Sequence, residues 1–408
     1  MKNIQIFGIN IAKTSKKELF KKIDSFLMDE KQHYLITLNP EILLHAGRDE
    51  EYFYILNQAD LAIPDGVGLK FAAWACWQNL KIIPGADLVK DILNLASEKK
   101  WRVGIVNWSH GLSNEKIISR ALKEKYSNLN FLVEDVSDKK AENFHLSKLL
   151  SFKPRILFIT FGAPDQEKFI FHNLKKLPSV KLAMGVGASF DYISGQARRA
   201  PKIFRALGLE WLWRIFGFLS GQKKGRKKRI YNAVICFTLK FLKWRFVLPF
   251  FYRPNVCSLM YKKENDNYKF FIVKRSDRSD PHWQLPQGGV DKKEDIATAG
   301  ARELREEAGT DKFKQMAIFK NLWHYKFDDV MGKYGVKHGY GWRGQKQSLF
   351  VAEFTGRDED IKISFWDHDD WRWVDSEDLI RAVYPVRRSA SEIYLSKFKE
   401  LIKNKKYD

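Results

Sequence analysis

Residues 288–309 read GGVDKKEDIATAGARELREEAG, and the glutamates of this stretch are the first feature that points to a metal site. Glu303, Glu306 and Glu307 stand at positions i, i+3 and i+4, so a helix brings all three to one face. Like charges so spaced repel each other, and a divalent cation held among their oxygens removes that repulsion. Hard oxygen ligands of this kind are those that Mg²⁺ prefers. The stretch therefore predicts a helix over 294–307 that binds a divalent metal.

The glycines at the two ends of the stretch fit the same interpretation. Gly309 stands where a left-handed residue would close the helix. Gly288 and Gly289 give the preceding loop the freedom to approach a phosphate closely. The alternative for the helix alone is a solvated acidic face without a ligand.

The spacing of the stretch resembles the Nudix box. Gly288, five residues, Glu294, seven residues and then RELREEAG match every fixed position except the last, where Thr310 replaces a bulky aliphatic residue. The resemblance implies hydrolysis of a nucleoside diphosphate linked to another group, with Mg²⁺ or Mn²⁺ as the cofactor. In such chemistry the metals bridge phosphate oxygens and activate a water, with Glu306 and Glu307 in catalytic roles.

Flanking segments narrow the resemblance to the dinucleoside polyphosphate hydrolases and RNA pyrophosphohydrolases. The matching segments are WQLPQGG (283–289), GQKQSLF (344–350) and DDWRWV (369–374). In that branch a further acid ahead of the tryptophan pair assists catalysis. Asp367 takes that position here, although the family more often has Glu. Arg302 is expected to orient the glutamates, and the candidates for phosphate or base contacts, or else surface residues, are Arg278, His282, Lys346 and Gln347.

The first half of the chain has a different pattern, in which short apolar runs alternate with helical periodicity. The predicted strands are 33–39, 59–63, 101–107, 130–136, 155–162 and 181–187, with helices between them at 41–57, 86–98, 112–125 and 166–175. This alternation predicts a Rossmann-like α/β domain with a mostly parallel sheet. Ligands bind such sheets beyond the carboxyl ends of the strands, where TLNPE, IPDGVG, FGAPDQ and GVGASFD all fall.

Five motifs in order resemble the WecG/TagA/CpsF glycosyltransferase family over about residues 3–216. They are TLNPEIL (37–43), ADLAIPDGVGL (59–69), IPGADL (83–88), FGAPDQEKF (161–169) and GVGASFDYISGQARRAP (185–201). The resemblance implies inverting transfer of an N-acetylmannosamine-type sugar from UDP to a polyprenyl-diphosphate-linked GlcNAc, as in teichoic acid or exopolysaccharide biosynthesis of the cell envelope. It implies no metal cofactor in this domain, and it allows homo-oligomers through the first domain.

An inverting transfer needs a base within reach of the acceptor hydroxyl, and Asp65, between Pro64 and Gly66 at a strand end, is the predicted base. Its alternative role is that of a turn or cap residue. Asp191 is left open between sugar binding and capping. The predicted substrate-binding residues are Thr37 and Asn39 for sugar hydroxyls, Gln166 for the donor, Gly185 and Gly187 for UDP, and Arg214 for the leaving diphosphate.

Charge is concentrated between the two predicted domains. The chain has 408 residues and a net charge of +22, and Arg198 to Arg245 holds 14 Lys or Arg against one acid, Glu210. A charge concentrated in this way favours one anionic surface, and each cation near an anionic bilayer contributes on the order of 1 kcal/mol. We expect residues 217–252 to form a basic amphipathic segment that lies on a membrane surface. A buried linker helix and a nucleic-acid footprint are the alternatives.

The remaining patterns complete a prediction of three segments, 1–216, 217–252 and 253–408. From about 255 the strand-like runs VCSLMYKK, YKFFIVKR, QSLFVAEF and DDWRWVD, with helices at 294–307 and 388–403, predict a smaller α+β domain. Three scattered cysteines favour a reducing interior, and the N-terminus shows no secretory signal.

Together these features predict a bifunctional enzyme, cytoplasmic and peripheral at the inner face of a bacterial plasma membrane. Its second domain acts on a nucleoside polyphosphate or a nucleotide sugar. The alternative is an N-terminal module that binds a lipid-linked sugar without transfer. The Nudix RNA pyrophosphohydrolase or dinucleoside polyphosphate hydrolase would then be the only catalytic domain.

Overall fold

The computed structural model describes residues 2–139, 146–201, 204, 235–265, 267–277, 280–327, 341–363 and 365–405. The chain divides into two compact units, Met1–Lys243 and Trp244–Asp408.

The first unit is built on a parallel six-stranded sheet. The strand order is β4-β3-β8-β7-β5-β6, and all neighbouring strands pair in parallel. A separate antiparallel hairpin precedes it. The strands are β1 (Lys2–Ile6), β2 (Ile9–Lys13), β3 (His33–Leu38), β4 (Leu61–Pro64), β5 (Arg102–Trp108), β6 (Asn130–Val136), β7 (Ile156–Ile159) and β8 (Leu182–Gly185). The predicted Rossmann-like fold class is confirmed.

Helices connect these strands and cover the sheet. They are α1 (Lys16–Met28), α2 (Pro40–Ala46), α3 (Glu50–Gln58), α4 (Val67–Ala75), α5 (Gly85–Glu98), α6 (Glu115–Lys125), α7 (Ser147–Phe152), α8 (Asp165–Asn173) and α9 (Ser189–Ile193). β4, β7 and β8 are buried along their whole length, which is why they read as continuous apolar runs. The residues that follow the strands are therefore the ones that can meet a ligand.

The described end of the basic segment is one helix, α10 (Phe237–Phe246). Phe237 and Phe241 are buried, and their rings lie 5.6 and 6.2 Å from that of Phe7. Lysines and leucines share its exposed side, so the clean separation into a charged and an apolar face that we expected is not found here. Residues 205–234 lie outside the described part of the chain. Where the helices are described, none has the length and apolar character that crossing a bilayer requires.

The second unit has a seven-stranded mixed sheet with helices on both faces. The path is β11-β10-β9-β14-β13, with β12 paired to β9 and β15 to β10, and β9 runs parallel to β14. The strands are β9 (Tyr252–Glu264), β10 (Asn267–Arg275), β11 (His282–Gln284), β12 (Gln287–Gly289), β13 (Phe313–Lys326), β14 (Gly344–Phe354) and β15 (His368–Asp375). The helices are α11 (Ile296–Ala308), α12 (Leu379–Ala382) and α13 (Arg388–Lys405).

The two faces of this sheet are filled by different helices. α11 packs Leu304 and Ala308 with Phe350 on one face. α13 packs Phe398 on the other, where its ring lies 4.8 Å from that of Tyr261. The sheet is thus held between two layers, and the predicted smaller α+β domain is confirmed, with α11 in place of the helix predicted over 294–307.

Candidate active sites

Asp65 lies at the carboxyl end of β4, as the sequence predicts. Its backbone nitrogen donates to the carbonyl of Leu38 at the end of β3, at 2.6 Å. Its Oδ2 accepts a hydrogen bond from the backbone nitrogen of Gly85 at 3.1 Å. Asp65 is half-buried. This placement keeps a carboxylate in a fixed orientation while leaving it within reach of a ligand.

Thr37 and Asp65 come together over the first residue of α5. A Cβ added at Gly85 would stand 3.1 Å from Thr37 Cγ2 and 3.2 Å from Asp65 Oδ2. Thr37 pairs with Ile63 across the parallel β3–β4 ladder, two residues before Asp65. A Cβ at position 85 would thus be in tight contact with two of the predicted residues, so glycine at this position leaves room for both side chains.

Asn39 has a structural role in addition to any contact with substrate. Its Oδ1 accepts from the backbone nitrogen of Ile42 at 3.0 Å, so it caps the N-terminus of α2. The side-chain group that remains for a substrate is its amide nitrogen.

Gln166 hydrogen-bonds to the two loops that follow β7 and β8. Its Oε1 accepts from the backbone nitrogens of Gly162 at 3.2 Å and Gly187 at 2.9 Å. A Cβ at Gly185 would come within 2.6 Å of the Gln166 side chain, so this glycine makes room for it. Gln166 is 5% exposed. Its described contacts join the ends of β7 and β8 from inside.

A buried carboxyl group supports this amide. Gln166 Nε2 donates to Glu167 Oε1 at 2.6 Å, and the Tyr52 hydroxyl donates to Glu167 Oε2 at 3.0 Å. Burial raises the pKa of Glu167 to about 7. The motif FGAPDQEKF contains this residue, but a helical Glu next to a charged residue reads as surface, so sequence analysis did not single it out.

A half-open cavity of about 210 Å³ lies at the carboxyl ends of β5, β7 and β8. Ser113 donates to Asp191 Oδ1 at 2.7 Å on its wall, and burial raises the pKa of Asp191. The lining residues are Asn107, Trp108, Gly111, Thr160, Phe161, Gly162, Gly187, Ala188, Phe190 and Asp191. A larger depression of about 470 Å³ lies on α7 and is shallow, away from these strand ends.

Two cationic residues of the first unit, Lys139 and Arg199, were not predicted. Lys139 Nζ donates to the carbonyl of Phe161 at 2.8 Å and lies 4.7 Å from the centre of the Trp108 ring. Arg199 forms a bidentate ion pair with Asp87 in the first turn of α5. Arg214, predicted to face the leaving diphosphate, lies outside the described residues.

In the second unit, α11 carries the predicted glutamates, but they differ in exposure. Glu303 and Glu307 are buried, whereas the Glu306 side chain is 43% exposed. A Cβ at Gly288 would stand 2.1 Å from Glu303 Cδ, so only glycine leaves room for this carboxylate. The helix thus directs two acids inward towards the β12 loop and one to the rim.

Arg302 joins the acids of this site. Its guanidinium donates to Glu294 at 3.0 Å, to Glu303 at 2.7 Å, to Glu306 at 3.3 Å and to the carbonyl of Gly289 at 2.9 Å. The described residues contain no group of three His, Cys, Asp or Glu side chains arranged as a metal cage. In this arrangement the Arg302 guanidinium balances the charge of Glu303 and Glu306.

Glu307 is the residue that fits a cation best. Its Oε1 accepts from the Gln287 backbone nitrogen at 3.3 Å, while its Oε2 is buried with no hydrogen-bond donor among the described residues. Burial, then the nearby Glu303 and Asp367, raise the pKa of Glu307 well above its usual range. A buried carboxylate oxygen without a donor is costly, and a hard divalent cation would satisfy it. The residues present therefore fit a divalent metal.

Asp367 lies beside Glu307, at the start of β15. It is 3% exposed and pairs with Arg275 NH2 at 2.8 Å. His368 Nε2 lies 3.8 Å from Glu307 Oε2, and His368 Nδ1 lies 3.5 Å from Asp367 Oδ1. Burial lowers the pKa of His368 to about 3, so this imidazole is neutral. Arg275 and His368 were not predicted. They are paired residues on the neighbouring strands β10 and β15.

The other candidates of this domain are divided between core and surface. Gln347 is buried and donates to Asn255 Oδ1 at 2.9 Å, while the Tyr394 hydroxyl donates to its Oε1 at 2.9 Å. His282 is buried and stacks on Tyr384 at 4.0 Å. Lys346 is exposed, and Arg278 lies outside the described part of the chain.

Two family models match this chain, in successive parts of it. Residues 4–248 match the family model "Glycosyl transferase WecG/TagA/CpsF family", and residues 251–395 match the NUDIX domain model. An N-acetylglucosaminyldiphosphoundecaprenol N-acetyl-beta-D-mannosaminyltransferase of Staphylococcus aureus (strain MRSA252) is 29% identical over 232 residues, which are 56% of this chain and 89% of that protein.

Two solved structures are similar to the second unit. One is the Ap4A hydrolase of C. elegans in a binary complex, 23% identical, with a TM-score of 0.29, covering 37% of this chain and 98% of that one. The other is the dihydroneopterin triphosphate pyrophosphohydrolase of E. coli, 18% identical, with a TM-score of 0.27, covering 36% of this chain and 99% of that one.

Proposed function

The chain belongs to the WecG/TagA/CpsF family of glycosyl transferases and carries a Nudix domain, and from these premises we propose a bifunctional enzyme. Both family predictions are confirmed. The first unit would transfer an N-acetylmannosamine-type sugar from UDP to a GlcNAc on a polyprenyl diphosphate. The second would hydrolyse a nucleoside diphosphate-linked compound with a divalent metal, Mg²⁺ or Mn²⁺. We place both activities at the cytoplasmic face of the membrane.

The observation that carries the transferase proposal is the meeting of Asp65 and Thr37 over Gly85. Asp65 would take the proton from the acceptor hydroxyl as that oxygen attacks the anomeric carbon of the donor. Thr37 and the amide of Asn39 would orient sugar hydroxyls. The UDP leaving group would lie against the glycines at the ends of β7 and β8, which Gln166 holds, with Arg214 as a further cation.

Asp65→Asn tests this role. The amide oxygen can still accept from Gly85, so the fold should be kept, while the base is lost. We expect transfer to fall by about 10²–10⁴-fold, measured as formation of the lipid-linked disaccharide by mass spectrometry. Asp60→Asn, the same substitution at the amino end of β4, is the matched control and should leave the rate unchanged. Full transfer by Asp65→Asn would favour the alternative, a sugar-binding module or a different base.

The hydrolase proposal is supported by the position of Glu307 beside Glu303, Gly288 and Asp367. When bound, a divalent metal would supply charge neutralisation on the phosphates and an activated water. Glu303 and Glu307 would hold it, with Glu306 at the rim, while Asp367 would act on the reacting water. When a metal binds, Arg302 would either give up its hydrogen bonds to Glu303 and Glu306 or keep these two carboxylates oriented.

A substrate screen on the full chain tests the hydrolase and its relation to the transferase. UDP-sugars, diadenosine polyphosphates and 5′-triphosphate RNA are incubated with Mg²⁺, and products are separated by chromatography. Turnover of UDP-sugars that is lost in Glu307→Gln would place both activities in one pathway. Turnover of only the other two substrates would mean two unrelated activities joined in one chain. No turnover of any of them would contradict the proposed substrate class.

The segment boundaries 1–216, 217–252 and 253–408 remain predictions, as do the anionic membrane surface and the homo-oligomer. What supports the membrane surface is the charge between Arg198 and Arg245. Co-sedimentation with anionic vesicles that weakens as salt rises is the expected result; binding that does not change with salt, or is absent, would contradict an electrostatic role.

A further inference from the structure

Helix α4, which follows the proposed base Asp65 in the sequence, exposes large aromatic side chains. Its buried side consists of Leu69, Ala72 and Ala73. On the other side, Phe71 is 62% exposed and Trp74 is 75% exposed. The two stand three residues apart and therefore neighbour each other on the helix surface.

Trp77, just beyond the end of α4, is exposed and also conformationally unfavourable. It is 92% exposed and has a φ of +57°, in the left-handed region. The backbone nitrogen of Gln78 donates to the carbonyl of Ala73 at 2.9 Å, so Trp77 occupies the turn that closes the helix. Glycine usually takes such a position, because a side chain there is strained. Trp77 therefore contributes little packing to the folded protein and adds backbone strain.

The surroundings of these aromatics are cationic. Residues 66–83 contain two lysines and no acid, and both Lys70 and Lys81 are exposed. α10 adjoins the first turn of α4, since a Cβ at Gly68 would lie 3.8 Å from the Phe237 ring. The exposed side of α10 contributes Leu239, Lys240, Leu242 and Lys243. Apolar and cationic side chains are thus interleaved over two neighbouring helices.

This combination fits an anionic bilayer better than a second protein. Tryptophan is enriched where an apolar medium meets water, since its ring is apolar and its N–H needs a polar partner. Lysines beside it meet lipid phosphates, whereas the centres of protein interfaces are depleted of lysine. Exposed aromatics grouped in this way indicate an interaction surface and not ordinary scatter.

We propose that Phe71, Trp74 and Trp77, the aromatic edge, insert into the interface of an anionic bilayer and hold the Asp65 cleft at its surface. α4 begins two residues after Asp65, so the depth of the edge fixes the height of the carboxylate above the lipid. The choice of a lipid-linked acceptor rests on the proposed function. Binding of the edge to a bilayer is a separate claim with its own measurement.

Trp77→Gly gives the sharpest test, because folding and lipid binding should move in opposite directions. Glycine relieves the left-handed strain, so the thermal midpoint should stay or rise. Binding to vesicles of phosphatidylglycerol and phosphatidylcholine should weaken, roughly tenfold for one aromatic side chain and further in Trp74→Ser/Trp77→Gly. Leu150→Ser, an exposed apolar residue on α7, is the matched control and should bind like the wild type.

Three readouts decide the outcome with the full-length chain. Brominated lipid should quench wild-type tryptophan fluorescence more than that of the double variant. Equal vesicle binding and equal quenching would overturn the proposal. A change of native mass in the variant without a change in vesicle binding would identify the edge as a contact between copies, which also overturns it.

Activity separates this claim from the proposed function. The double variant should keep its rate on a water-soluble short-chain acceptor and lose rate on an acceptor embedded in vesicles. If Asp65→Asn keeps full transfer, the proposed base fails while the vesicle result stands. If the double variant is equally active on both acceptors, the edge fails and the base is unaffected.

Discussion

Glu167 is a buried acid whose two oxygens hold Gln166 and Tyr52, and through Gln166 it supports the loops at Gly162 and Gly187. Burial disfavours the charged form of a carboxyl group, and this raises the pKa of Glu167 to about 7. We regard Glu167 as a positioning residue, since its described contacts are with protein groups and reach the cleft only through Gln166.

Glu167→Gln should change how stability depends on pH. Because the folded pKa lies above the 4.5 of an ordinary glutamate, protonated Glu167 stabilises the fold fully below about pH 4.5. This contribution is lost as the pH rises through 7. The difference is on the order of 3 kcal/mol at most. The wild type should therefore lose stability relative to Glu167→Gln between pH 4.5 and 8.

Urea unfolding of both variants across this range measures the effect. Asp24→Asn, an exposed acid on α1, serves as a control and should follow the wild-type curve. Parallel pH profiles for wild type and Glu167→Gln would mean that Glu167 is ionised throughout and that its burial has been compensated by another charge.

Single residues also show what the sequence could predict of the sites. Asp65 and Thr37 were predicted because acids and hydroxyls at the ends of apolar strands lie at the ligand edge of a parallel sheet. Asp367 was predicted from the resemblance to the hydrolase branch. The amide of Gln166 was predicted to face the donor, but its oxygen accepts from backbone nitrogens of its own loops and its nitrogen donates to Glu167. Which way an amide turns depends on atoms brought by distant segments, and no local spacing reports it. His368 was missed because a histidine among aspartates in WDHDD reads as surface.

At the scale of elements, α11 depends on the residue that ends it. Gly309 has a φ of +65°, and a Cβ there would lie 1.9 Å from the carbonyl oxygen of Lys362. Gly309→Ala adds backbone strain of about 1 kcal/mol and a clash of roughly 1–3 kcal/mol. We expect it to destabilise the second unit and to lower hydrolysis, because α11 carries Glu303 and Glu307.

Gly195→Ala is the matched control for that substitution. Gly195 has a φ of +80°, but nothing lies within 4 Å of an added Cβ. It should lower stability only by the strain, about 1 kcal/mol. Thermal unfolding compares the two, and an equal loss in both variants would show that backbone strain, and not the contact with Lys362, accounts for the effect.

Elements with a strong apolar period were predictable, and their breaks were not. The strands of the parallel sheet were found to within a few residues. The segment 41–57 was predicted as one helix and is two, because Asp49 caps a second helix by accepting from the nitrogen of Tyr52. The β1–β2 hairpin was missed: its turn is Phe7-Gly8, with φ of 54° and 78°, and a phenylalanine gives no turn signal.

At the scale of the whole molecule, the proposed function would join two reactions in one chain. The first unit would release UDP as a glycosidic bond forms, and the second would cleave a phosphoanhydride. Much of the +22 charge lies between Arg198 and Arg245, where 14 of the cations stand. If both units act on anionic substrates as proposed, this basic stretch of the sequence would attract them electrostatically, and the attraction would fall as salt rises.

The central claim is that two separate pockets perform two separate reactions, and one experiment tests it directly. Sugar transfer and hydrolysis are measured on the same full-length preparations of wild type, Asp65→Asn and Glu307→Gln. We predict that Asp65→Asn loses transfer and keeps hydrolysis, and that Glu307→Gln loses hydrolysis, on the order of 10²-fold or more, and keeps transfer. Loss of both activities in either variant, with the fold intact, or loss of neither, would contradict it.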